Sequence, residues 1–150
     1  MHGDLLLFES IGTLGGRPPC LDAQKVVTGV QMHRLQDVLD FVQGQKVYHL
    51  PIRRALYPEE SERLMYWLYS KLGTPYNLAG AERSAGLVFR LLSSVMEPEN
   101  LSSLFCSQMV AAALLDIGVF STYNVDKFNP NALCRALYWA GKYGDRKRIK

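Results

Sequence analysis

Histidine is scarce in this chain, with His2, His33 and His49 as the full set in 150 residues. Cysteine is equally sparse: Cys20, Cys106 and Cys134 make an odd count, without a Cys-x-x-Cys pair or a Cys/His spacing that suits a metal. That usage argues against a disulfide framework and a zinc site, and it predicts reduced thiols in a cytoplasmic setting. No apolar run is long enough to cross a bilayer, and no secretory signal pattern opens the chain. Charge of one sign is also lacking. The formal net charge is +3, with no basic stripe interleaved with aromatics, so nucleic-acid binding has no support. Gly12 and Gly16 do not make a phosphate-binding loop, because no Lys-Ser/Thr follows and no helix is entered there. No cofactor motif is present, and neither a cofactor nor a metal is expected.

What remains is ordinary globular material. A content of 48% hydrophobic and 21% charged residues in 150 positions predicts one soluble domain over 1–150 with a real core. The stretch around which it is organised is Leu104-Phe105-Cys106-Ser107-Gln108, continuing into an Ala/Leu-rich run. Ser102 and Ser103 are candidate N-caps, the run has strong helix propensity, and Gly118 supplies the stop. Cys106 then falls in or beside the first turn of a buried helix, where free amide N–H groups and the helix dipole favour a thiolate. The competing reading is a small buried hydrophobe.

Along the chain, Asp4–Glu9 reads as a buried interior strand, and residues 11–19 as a Gly/Pro-rich loop. Val26–Met32 and Lys46–Ile52 are predicted as further strands of one sheet, flanking a short helix over Leu35–Val42. Pro58 with Glu59, Glu60 and Glu62 opens a helix whose buried stripe is Leu64, Leu68 and Leu72, and Gly73–Asn77 forms a rigid turn. A helix is predicted over 82–96, and a last one capped by Asn129-Pro130 with Leu133, Ala136, Leu137 and Ala140 inward. Residues 142–150 read as a basic, solvated tail, with contact to an anionic membrane or an acidic partner as its alternative role. Cys134 reads as core and Cys20 as an exposed loop residue.

A cysteine nucleophile needs an imidazole, and usually a third group that orients it. All three histidines precede Cys106, which excludes the ordinary papain order of cysteine first and histidine later. His2 reads as a terminal residue, His33 as exposed near a turn, and His49 as a structural or surface residue on a strand. None of them is assigned as the base.

The order of motifs resembles the circularly permuted papain-like hydrolases. This is the permuted branch of the NlpC-type superfamily, with its YiiX-like amidases and, more distantly, the lecithin:retinol acyltransferase group. The resemblance covers most of the chain. It runs through Leu6-Leu7-Phe8-Glu9-Ser10, Gly29-Val30, the strand at 46–52, Leu72-Gly73-Thr74-Pro75-Tyr76-Asn77, Phe105-Cys106-Ser107-Gln108 and Asn129-Pro130-Asn131-Ala132-Leu133. It implies an α+β permuted papain-like fold, with a small antiparallel sheet packed against three to four helices. It also implies Cys106 as nucleophile, Glu9 as orienting acid and Tyr76 lining the site, with Asn77 where the family often has an acid. The family's histidine sits on a strand upstream of the Glu-bearing strand, so the chain is expected to be N-terminally truncated. Two readings stay open. One is a thiol hydrolase or acyltransferase acting on a small acylated or peptide substrate through an acyl-cysteine. The other is a catalytically incomplete scaffold that binds or regulates.

Overall fold

The computed structural model describes residues 5–13, 17–78, 104–121, 125 and 128–150. Its elements are β1 (Leu6–Ile11), β2 (Gly29–Arg34), α1 (Leu35–Phe41), β3 (Tyr48–His49), α2 (Pro58–Ser70), α3 (Cys106–Asp116), α4 (Pro130–Trp139) and β4 (Lys147–Arg148). The architecture is α+β. The predicted helix over 82–96, Ser102 and Ser103, and His2 lie outside the described residues.

The core is built around α3. Seven of its eleven residues are buried, as expected for a helix packed on nearly every side. Met109, Ala112, Ala113 and Leu114 join Val30 of β2, Trp67 of α2, and Leu133 and Leu137 of α4 in one apolar cluster. Burial of this kind contributes about 25 cal/mol per Å² of apolar surface, the main stabilising term. Leu64 and Leu68 of α2, and Leu72 in the turn after it, pack at the edge of that cluster while Trp67 goes deepest. Pro58 takes the first helical position, and the Tyr57 N–H donates to Glu60 Oε2 at 2.8 Å. In α4 the Asn129 side chain accepts from the Ala132 N–H at 2.8 Å, as its N-cap position predicts.

β1 and β2 form an antiparallel ribbon with Leu7 opposite His33, Glu9 opposite Gln31 and Ile11 opposite Gly29. Phe8 and Ser10 alternate with Glu9, so the ribbon turns one face to the core and the other away from it. The single sheet predicted for the strand at 46–52 is replaced by two sheets. Pro51 lacks an N–H, and the segment keeps two ladder residues, Tyr48 and His49, plus an isolated bridge from Ile52 to Tyr143.

Its partner is the C-terminal segment, so residues 142–150, exposed over most of their length, are paired with the rest of the fold rather than free. Lys147 and Arg148 pair with His49 and Tyr48, and further backbone bonds run from Arg53 N to Lys142 O and from Ile149 N to Val47 O, both 2.9 Å. Backbone pairing is indifferent to the like charges, whose side chains leave the ribbon into solvent. Among the described residues no helix is long and apolar enough to cross a membrane.

Candidate functional site

α3 begins at Cys106, with Phe105 as its N-cap in extended conformation. The cysteine is exposed, in contrast to Ser107, Gln108 and Met109 immediately after it. The first-turn N–H groups of a helix have no acceptor within the helix, so they converge beside this sulfur. Leu104, two residues earlier, is fixed at both amide ends. Its N–H donates to Pro75 O at 2.8 Å, and its carbonyl accepts from Ser10 Oγ at 2.5 Å. The thiol is therefore positioned by the 73–77 turn and by β1.

That turn is itself docked on β2. The Val30 N–H donates to Thr74 O at 2.8 Å, and the Gly73 N–H donates to Val30 O at 2.9 Å. Tyr76 follows, its ring so close to Gly12 that a Cβ there would lie 2.7 Å from Cδ1. The Tyr76 phenol is held above its ordinary range, first by burial and then by the negative charge available to Cys106. Asn77 Nδ2 donates to Gln108 Oε1 at 3.5 Å, and the same oxygen accepts from the Phe105 N–H at 3.3 Å. Cys106, Tyr76, Asn77 and Gln108 thus form one group, with the fully buried Gln108 amide joining the turn to the start of α3.

Glu9 belongs to a second group. Arg17 Nε donates to both of its carboxylate oxygens, at 2.9 and 3.1 Å. His33 Nε2 stands 3.4 Å from Glu9 Oε1 without hydrogen-bond geometry. Glu9, Gln31 and His33 share the ribbon face opposite Phe8 and Ser10, and no hydrogen bond or ion pair joins them to Cys106 among the described residues.

Three expectations are corrected here. His33 is 1% exposed rather than lying near a surface turn, because β2 extends to Arg34 and runs directly into α1. Cys20 is buried and receives the Met32 N–H at 3.5 Å. Cys134 is exposed, since Leu133 and Leu137 take the inward stripe of α4 and leave it about 100° round the helix. His49 is exposed on β3, in keeping with a surface role.

The Glu9–His33 proximity went unread because it depends on the β1–β2 register across a long loop. A strand ending at Met32, as the sequence predicts, leaves His33 out of the register that brings it to Glu9. Among the described residues no group of three or more His, Cys, Asp or Glu could hold a metal ion. Comparison with known proteins finds no matching family model, no matching curated protein and no matching solved structure.

Proposed function

We propose that this chain has a permuted papain-like fold and that Cys106 is the nucleophile of a thiol hydrolase or acyltransferase. The observation that carries the reading is an exposed thiol on the first residue of an otherwise buried helix, beside Tyr76. In the proposed reaction the thiolate attacks the carbonyl carbon of an amide or ester. The oxyanion is received by N–H groups at the start of α3, worth about 3–4 kcal/mol per donor in comparable sites. Collapse expels the amine or alcohol, which carries off the proton that the thiol gave up, and leaves an acyl-cysteine, which water or another acceptor resolves. The substrate is a small acylated molecule or a peptide. In this reading Glu9 is the orienting acid, and His33, 3.4 Å from it, is the imidazole it faces.

A second reading is favoured by a specific observation: Glu9 is engaged by Arg17, and no hydrogen bond ties Cys106 to an imidazole among the described residues. On that reading the chain is a catalytically incomplete scaffold that binds or regulates.

Alkylation by iodoacetamide separates the two. Cys106 and Cys134 are both exposed, so Cys134 is the internal reference and buried Cys20 is not. An activated Cys106 alkylates faster than Cys134 with an apparent pKa below ~7.5, and Cys106→Ser removes hydrolysis of ester and amide substrates. Parallel titration of both thiols near the ordinary value of about 8.5 rejects the nucleophile.

A further inference from the structure

The folding of residues 142–150 onto 47–53 changes what their charge does. Arg148 stands opposite Tyr48 in the β3–β4 ladder, and the Arg146 guanidinium lies over the same ring, 4.9 Å from its centroid. Arg53 lies over the Tyr138 ring at 5.8 Å. The ribbon meets α4 across a shallow depression of about 240 Å³ whose walls include Cys134, Arg135, Tyr138 and Arg146. Arg135 joins this depression to the outer face of α4, where Trp139 follows one turn later at 84% exposure. Ile149, beyond β4, is 44% exposed.

The ring contacts and the depression therefore gather Arg53, Arg135, Arg146 and Arg148 in one patch, with Trp139 beside Arg135 and Asp145 as its carboxylate, while Lys147 and Ile149 alternate to the other face of the ribbon. With Asp145 counted, this patch carries +3, the formal net charge of the whole chain.

We propose that this patch docks on an anionic lipid bilayer, the cations against headgroup phosphates and carboxylates, with Trp139 entering the interface. Tryptophan prefers the headgroup level, where its ring meets apolar tails and its N–H stays hydrated. Stable attachment needs two signals, and the patch supplies both an electrostatic and an apolar one. Single-stranded nucleic acid is the poorer match, because Arg146 and Arg53 each occupy one face of the Tyr48 and Tyr138 rings, which among the described residues leaves Trp139 as the patch's one uncapped ring where base stacking uses several in succession. The proposal is independent of the chemistry at Cys106.

The test is co-sedimentation of the full chain with vesicles of phosphatidylcholine, or of phosphatidylcholine carrying about one-third phosphatidylserine. Binding to the anionic vesicles is expected, with a blue shift of tryptophan emission that comes from Trp139, since Trp67 is already buried. The shift disappears in Trp139→Phe. Arg135→Gln with Arg146→Gln weakens binding roughly 30-fold, whereas the two lysine substitutions retain it and Cys106→Ser binds as the parent does. Equal binding to neutral vesicles, no binding to anionic ones, full affinity in the glutamine pair, or displacement from the vesicles by a single-stranded oligonucleotide would each overturn the proposal.

Discussion

Gly29→Ala tests whether the 73–77 turn is held where the thiol needs it. Gly29 has φ +91°, and a Cβ there would stand 2.2 Å from Thr74 O, 3.1 Å from Thr74 C and 3.3 Å from Pro75 Cα. These are backbone atoms, so no rotamer change relieves the contact. The methyl would sit beside the two bonds that dock the turn, Val30 N–H to Thr74 O and Gly73 N–H to Val30 O. Left-handed backbone costs an alanine about 1 kcal/mol, and losing two backbone hydrogen bonds costs about 1 kcal/mol each. The expected loss is therefore roughly 3 kcal/mol, a large share of the ~5–15 kcal/mol available to a domain.

Gly44→Ala is the control. Gly44 also has positive φ, +74°, but nothing lies within 4 Å of its added Cβ, so it bears the conformational term by itself, about 1 kcal/mol. Urea unfolding with an unchanged m-value reads both losses. Because Pro75 O holds the Leu104 N–H, Gly29→Ala also alters the alkylation rate of Cys106, whereas Gly44→Ala leaves it unchanged. Equal stability losses in the two variants would refute the docking argument.

At alkaline pH the half-buried phenols weaken the fold. Tyr143 titrates above its ordinary 10.0, pushed first by burial and then by Cys134, and Tyr76 is shifted the same way. Folding favours the protonated phenol, so this stability is complete below pH 10.0 and is lost as pH rises through the folded value; Tyr143→Phe flattens that loss in unfolding midpoints followed against pH. Substituting His33 by Leu is expected to be neutral or stabilising by about 1–3 kcal/mol, because both ring nitrogens are buried without a hydrogen-bond partner. A loss of more than about 1 kcal/mol in urea unfolding would contradict that accounting.

The helices were legible because their signals are local. Pro58 with its acidic first turn, Asn129-Pro130 and the stop at Gly118 each mark a terminus by chemistry contained within a few residues. α1 ends one residue before the predicted Val42. The strands were less legible, since pairing is decided by distant partners. Tyr48 finds Arg148 a hundred residues on, and nothing between positions 46 and 52 names that partner. Cys106 at a helix start is a local reading, whereas Tyr76 and Asn77 follow from the family resemblance, and tertiary hydrogen bonds bring their turn to the start of α3. Their relation to Glu9 and His33 required the register of β1 on β2. The exchanged burial of Cys20 and Cys134 has the same origin, for rotation about a helix and docking of a loop are tertiary outcomes.

The two polar groups differ in how well their hydrogen bonds are satisfied. Around Cys106 the Gln108 amide, the Ser10 hydroxyl and the Leu104 amide all have partners. On the opposite ribbon face, Gln31 Oε1 and both nitrogens of His33 are buried without one. Each such atom costs about 1–3 kcal/mol, and aliphatic residues at those positions would avoid the cost. A concentration of unsatisfied groups against a carboxylate that Arg17 holds in place is where local rules of stability yield to another requirement. The Ser10–Leu104 bond connects the neighbour of Glu9 to the segment entering α3, so His33→Leu has a second readout besides stability. If the Glu9–His33 pair serves the thiol, Cys106 loses its fast alkylation below pH ~7.5 while the fold stays intact. If the helix start sets the reactivity, the pH profile of Cys106 in His33→Leu superimposes on that of the parent chain.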